Sequence, residues 1–183
     1  MIKLKNILGH FKTITKHRHL VMRHCFKIGL YKQGLLHDLS KYSPSEFILG
    51  CRYYQGHRSP NDEERQQLGY SSAWLHHKGK NKHHFEYWID YPQHRVSDKP
   101  FAPVKMPLKY VAEMFCDRMA ACKVYMGPAY NDAAPLEYQS KRRGRLFMHP
   151  ETEEQLTEML SVLAEKGEEA AFAHVREMLK RGE

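Results

Sequence analysis

Gln33-Gly34-Leu35-Leu36-His37-Asp38-Leu39-Ser40-Lys41 sets a histidine and an aspartate side by side within a short apolar run. Leu35, Leu36 and Leu39 recur as one side of a helix requires, so the stretch reads as a second helix after a turn at Gly29, with the polar pair in it. A neutral imidazole and a carboxylate both suit a first-row divalent metal, and neighbours near a helix end can reach one ion. The dipeptide alone recurs by chance in many chains. Its meaning rests on what flanks it.

Upstream, Leu4, Ile7, Leu8, Phe11, Ile14, Leu20 and Val21 keep close to helical spacing and predict a long amphipathic first helix. His10, His17 and His24 recur every seven residues, nearly two helical turns, so the three imidazoles form a slowly drifting stripe beside the apolar face. Downstream, Ser43-Pro44-Ser45-Glu46 combines a capping serine, a proline at the first helical position and a glutamate placed for a capping box, which predicts a third helix through Phe47 to Tyr54. Gly56 to Asn61 reads as a loop and Asp62 to Leu68 as a polar helical piece. Ser71 to His77 reads as a helix broken by Lys78-Gly79-Lys80-Asn81, and His83 to Trp88 as a resumed helix or a tight turn.

Asp90 to Pro107 contains Pro92, Pro100, Pro103 and Pro107 and reads as an extended loop. Leu108 to Tyr125 is the clearest buried helix, with Val111, Met114, Phe115 and the small pair Ala120-Ala121 able to face neighbours. After a further loop, Thr152-Glu153-Glu154-Gln155 reads as a second capping box. Leu156, Met159, Leu160 and Leu163 make one apolar stripe, Gly167 breaks it, and Phe172, Val175, Met178 and Leu179 make another, giving a C-terminal helical hairpin over about 151–181. No stretch carries a convincing strand signal and no internal repeat is visible. The expected fold is all-α, a compact helical bundle, with residues 1–183 as a single domain.

Composition narrows the function. No apolar run approaches the roughly 20 residues a membrane span needs, and no secretory leader is recognisable, so a cytoplasmic protein is expected. Cys25, Cys51, Cys116 and Cys122 form no CxxC pair and read as buried thiols. A formal net charge of +8 favours anionic partners, without by itself selecting nucleic acid over small phosphates.

The 13 histidines are unevenly placed: His10, His17, His19 and His24 fall in one segment, His76, His77, His83 and His84 in another, with His37 between them. Asp117 lies in Glu113-Met114-Phe115-Cys116-Asp117-Arg118-Met119-Ala120-Ala121, an otherwise apolar helix in which an unpaired buried carboxylate would be costly; a metal would remove the cost. An ion pair or simple exposure of Asp117 is the alternative. Counting residues either side of the turn near Leu30 sets His24 more nearly opposite His37, so a first ligand from the opening helix is His17 or His24, with His10 and His24 otherwise groups that steady the ligands from behind or polar edges of a core helix.

Leu35-Leu36-His37-Asp38-Leu39-Ser40-Lys41, preceded by a helix bearing His17 with Val21 four residues on, resembles the opening of HD-domain phosphohydrolases. Within that superfamily the chain is most similar to a bacterial and phage group of unknown function (DUF5662-like), along His10-Phe11-Lys12-Thr13, Gln33 to Lys41, Trp74-Leu75-His76-His77-Lys78-Gly79, Asn81-Lys82-His83-His84, Tyr110-Val111-Ala112-Glu113-Met114 and His149-Pro150-Glu151-Thr152. The resemblance implies an HD-like bundle with His17, His37, Asp38 and Asp117 as metal ligands. It also implies a histidine-lined second position to which one member of each later pair contributes, here His77 and His84. Ser40 stands where many HD enzymes have glycine. The implied activity is hydrolysis of a phosphate ester, with a nucleotide among the substrates, using one or two divalent ions (Mn, Fe, Co, Ni or Zn, with Mg admissible). Asp38 and Lys41 would be the catalytic residues, and Lys41, Lys78 and Arg118 would neutralise the phosphate, with Lys80 a weaker candidate. The expected partner is a small phosphorylated substrate. A non-catalytic metal- or nucleic-acid-binding module, for which Arg142-Arg143-Gly144-Arg145 would suit, and an HD-like di-iron oxygenase are the alternatives.

Overall fold

The computed structural model describes residues 2–92, 100–142, 144 and 146–182. It is all-α: helices account for 73% of it, and strands for almost nothing. The helices are α1 (Leu4–Lys27), α2 (Tyr31–Leu36), α3 (Pro44–Arg52), α4 (Pro60–Leu68), α5 (Ser72–Lys80), α6 (Leu108–Met126), α7 (Ala134–Ser140) and α8 (Pro150–Arg181). Short 3-10 turns cover Leu39–Tyr42, Phe85–Tyr87 and Gly127–Ala129. In the proline-rich loop, Ile89–Asp90 and Ala102–Pro103 form a minimal antiparallel ladder that pins the loop's ends together; residues 93–99 between them lie outside the described residues.

The core forms where α1, α6 and α8 meet. Val21 and Cys25 from α1, Val111, Phe115, Met119 and Ala120 from α6, and Leu156, Met159, Leu160, Leu163, Phe172 and Val175 from α8 are all buried in one cluster. Each of the Val, Leu, Phe and Met side chains among them contributes on the order of 1.5–3 kcal/mol by leaving water. The packing holds α1 and α6 face to face, so a polar residue on the inner side of either meets the other.

The C-terminal element is bent double. Gly167 leaves helical geometry (φ 79°, ψ 177°), and His174 Nε2 comes within 2.8 Å of Glu158 Oε1, although sixteen residues of straight helix would separate them by about 24 Å. The two arms therefore run antiparallel, as the broken apolar stripe predicts.

Several local expectations need correction. His37 and Asp38 are not in a helix: α2 ends at Leu36, His37 is a turn residue (φ −51°, ψ 126°), and Asp38 takes a left-handed conformation before the 3-10 turn. Neither capping box forms. Ser43 caps α3 by position but without a side-chain bond, because Glu46 turns instead to two histidines. Thr152 lies inside α8, where its Oγ1 accepts from the Met106 backbone N–H, and His149 caps in its place. Helix α5 runs on through Lys78 and Gly79 to Lys80, since a single glycine costs a helix only about 1 kcal/mol. The segment after α6 contains the short helix α7. All four cysteines are free thiols, Cys122 being only partly buried.

Candidate metal centre

Four parts of the chain converge on Asp38. α1 brings His17 and α6 brings Asp117 across the core contact; the break after α2 brings His37 and Asp38; α5 brings His77, and the turn beyond it His83 and His84. Ligand atoms of His17, His37, Asp38 and Asp117 lie within 4.8 Å of one another, and so do those of Asp38, His77, His83 and His84.

The two groups use different oxygens of one carboxylate. Oδ2 of Asp38 lies 3.6 Å from His17 Nε2 and 3.3 Å from His37 Nε2. Oδ1 lies 3.3 Å from His77 Nε2 and 3.5 Å from His83 Nε2. Asp117 Oδ1 closes the first group at 2.9 Å from His17 Nε2 and 3.7 Å from His37 Nε2. His77 Nε2 and His84 Nε2 face each other at 2.9 Å in the second. Ligands held about 2.1 Å from one ion stand about 3.0 to 3.5 Å from each other; the separations here run from 2.9 to 3.7 Å.

The donor atoms fit a metal better than they fit each other. His17 Nε2, His37 Nε2, His83 Nε2 and Asp38 Oδ1 are buried without an aligned hydrogen-bond partner, and Asp38 Oδ2 has only the Lys41 ammonium beside it. His17 Nε2 and Asp117 Oδ1 are close enough to bond, yet the nitrogen points elsewhere. Buried polar atoms are nearly always paired, so unpartnered atoms gathered around a common space suit a cation.

Carboxylates behind the imidazoles set their direction. Glu113 Oε1 accepts from His37 Nδ1 at 2.9 Å and lies 3.1 Å from His83 Nδ1. Glu46 accepts from His76 Nδ1 at 2.7 Å and from His77 Nδ1 at 2.8 Å. Asn81 Nδ2 donates to Ser40 Oγ at 2.8 Å, and Ser40 Oγ lies 3.3 Å from His77 Nδ1. A ring whose Nδ1–H is bound to a carboxylate presents Nε2 with its lone pair forward, as a metal ligand must.

Electrostatics follow the same division. Burial disfavours the imidazolium of His37, but the carboxylates of Asp38 and Asp117 near its Nε2 and of Glu113 at its Nδ1 hold its pKa well above the ordinary value. His77 is raised for similar reasons: burial opposes the charge, and Asp38 and Glu46 outweigh it. Burial would lift the carboxyls of Asp38 and Asp117, yet the surrounding histidines, with Lys41 for Asp38, hold both well below the usual range. His84 is pushed well down by burial and then by its neighbours His83 and His77. Without an ion, protons on histidine supply the positive charge that the carboxylates need.

Of the expected site residues, His17, His37, Asp38, His77, His84 and Asp117 are therefore brought together. Lys41 joins them, its Nζ 2.6 Å from Asp38 Oδ2. Arg118 is tied to Gln139 and lies over the Tyr138 ring. Together with Lys78 and Arg142 it bears on the half-buried Glu86, whose carboxyl burial raises despite the three cations. Lys80 is exposed. His10 packs on Phe47 and Tyr54, and His24 points at the Cys116 carbonyl and Lys123; neither belongs to the ligand groups. Arg143 and Arg145 lie outside the described residues.

Three residues of the site escaped the sequence reading. The sequence offers no ground for taking His84 without His83: in the turn beyond α5 nothing forces adjacent side chains to opposite faces, and both reach inward. Glu113 carried a signal: it stands four residues before Asp117, on the same face of an apolar helix. Glu46, three residues after Ser43, has the spacing of a cap and so gives no sign of its histidine partners.

A family model described as a family of unknown function (DUF5662) matches residues 6–162. No curated protein and no solved structure matches the chain.

Proposed function

The chain belongs to the DUF5662 family, whose description assigns no chemistry, and from its side chains we propose a metal-dependent phosphohydrolase acting on a phosphate ester. One observation carries this reading: Asp38 directs Oδ2 to the buried, unpartnered Nε2 atoms of His17 and His37, and Oδ1 to the unpartnered Nε2 of His83 with His77 beside it. A carboxylate so placed suits a pair of divalent ions, with His17, His37 and Asp117 completing one position and His77, His83 and His84 the other. Such ions, when bound, polarise a phosphoryl oxygen and make hydroxide available near neutral pH.

The rest follows from the chain. Asp38 is buried, whereas the side chains of Asp117 and Lys41 are 17% and 27% exposed, so the approach to the centre lies on their side. Lys41 there presents a fixed cation to an incoming phosphate; next to Asp38 it stays charged, its pKa raised although burial opposes the charge. Glu113 and Glu46 hold the imidazoles in place, which spares the reaction any reorganisation of its ligands. The substrate class is a small phosphorylated molecule, a nucleotide being one candidate.

Protein purified without an affinity tag, analysed for metals and assayed on phosphomonoesters and phosphodiesters with added Mn, Co, Fe, Ni, Mg or Zn, tests the reading. Turnover that follows bound metal and disappears in Asp38→Ala supports it. Metal held fully coordinated with no turnover on any ester would instead mark a structural site. The same donors, five imidazoles and two carboxylates, also suit iron, so a di-iron oxygenase is the second reading; bound iron with oxygen-dependent turnover would replace hydrolysis by it.

A further inference from the structure

One oxygen of Glu113 serves two rings that belong to different metal positions. Oε1 takes the Nδ1–H of His37 at 2.9 Å and lies 3.1 Å from Nδ1 of His83. His37 faces Asp38 Oδ2 with the His17 group, whereas His83 faces Asp38 Oδ1 with the His77 group. The two rings lie against one another, their centroids 4.4 Å apart. Glu113 is itself only 5% exposed, so water is a poor substitute for either ring. Burial would raise its carboxyl, but the two histidines keep it below the usual range.

We propose that Glu113 is a positioning residue that couples the two metal positions, so that filling one prepares the other. The inference rests on the two-ion reading. A first ion that fixes the Nε2 of His37 fixes the ring, its Nδ1–H bond and hence the Glu113 oxygen. His83 is then already turned with its Nε2 toward Asp38 Oδ1, and the second ion meets a ligand whose ordering has been done. Glu46 makes an internal contrast, because its carboxylate touches His77 and His76 and thus only one position. Glu113 with His37 and His83 also forms a compact acid-histidine group. Its contacts are accounted for by hydrogen bonds to Nδ1, which assigns the acid to holding ligands and not to an ion of its own.

The test is a Zn2+ titration of the metal-free protein, followed by calorimetry and by nitrogen-resolved NMR of the imidazoles. Wild type should take two ions cooperatively, with the His37 and His83 signals moving together below one equivalent. Glu113→Gln, whose neutral amide oxygen accepts more weakly than a carboxylate and brings no counter-charge to the rings, should lose cooperativity and weaken both positions by roughly 10–100-fold; Glu46→Gln should weaken one only. Two ions bound by Glu113→Gln as tightly and cooperatively as by wild type would overturn the coupling alone, as would a third ion that the variant loses. A wild type that takes at most one ion would overturn the two-ion reading with it. Should the variant fold poorly, the wild-type NMR decides: His37 and His83 responding in separate steps defeats the proposal.

Discussion

Asp38 has a φ of 54°, the only positive φ on a non-glycine residue among the described residues. For an L-residue this conformation costs about 1–2 kcal/mol, and Asp and Asn bear it better than most. Strain of this kind persists where the surroundings impose it, and here it lifts the carboxylate out of the chain between two sets of imidazoles. Asp38→Asn should keep the turn but lower the metal-free melting temperature, because His37, His77 and Lys41 lose their buried counter-charge, while metal content falls at both positions together. Asp38→Ala should lose the metal and also about 1 kcal/mol through the turn. Elemental analysis beside thermal melts checks this, and an Asn variant that still held one full equivalent of metal would show that the carboxylate does not serve both sides. The chemistry of the His37-Asp38 pair was legible in the sequence because it resides in the side-chain types. Its backbone was not: with no glycine at the turn, the apolar run continues through it and reads as helix. Which of His83 and His84 faces inward was equally hidden, since both do.

At the scale of elements, the long-range pattern was readable and the use of individual polar residues was not. The periodicity of α1, the apolar face of α6 and the break at Gly167 all follow from spacing alone. A glutamate three residues after a serine, by contrast, has the same letters whether it caps a helix or, as Glu46 does, orients His77 from a neighbouring one. Two glycines fix how the elements meet. A Cβ on Gly50 would stand 2.1 Å from His10 Nε2, so Gly50→Ala must push α3 away from α1 or expel the imidazole. Overpacking of this order costs about 1–3 kcal/mol, read as a lower urea midpoint, and because α1 carries His17 and α3 carries Glu46, zinc affinity should fall as well. An unchanged midpoint would mean that the contact is loose. Gly167→Ala places a side chain at φ 79°, ψ 177°, a region left almost wholly to glycine. It should cost about 1–3 kcal/mol by the same measurement.

Across the whole molecule, the histidines divide into two classes whose effects on stability run in opposite directions with pH. His10 and His24 are held down to about 4, chiefly by burial and then by the charges of Lys41 and Lys123 respectively, and His84 is also pushed well down. Their unfolded forms take up protons below about pH 6.5 while the folded forms do not, so acid withdraws stability from roughly that pH downward. Loss of the depressed carboxylates Asp38 and Asp117 adds to the deficit below their ordinary value. His37 and His77 are raised, so the stability they lend is full below about 6.5 and drains as pH climbs through their folded values. The metal-free protein should therefore be most stable near neutrality and melt earlier on both flanks, by about 2–4 °C for each kcal/mol in a chain of this length. Zinc should change only one flank much. A ligating imidazole must be free of its Nε2 proton, so alkali favours the ion while it disfavours the protons, and the ion supplies the counter-charge that His37 and His77 surrender. Melting curves from pH 5 to 9, in EDTA and in excess zinc, should thus diverge progressively above neutrality; curves that stay parallel to pH 9 would mean that protons and metal are not exchanging for one another around Asp38.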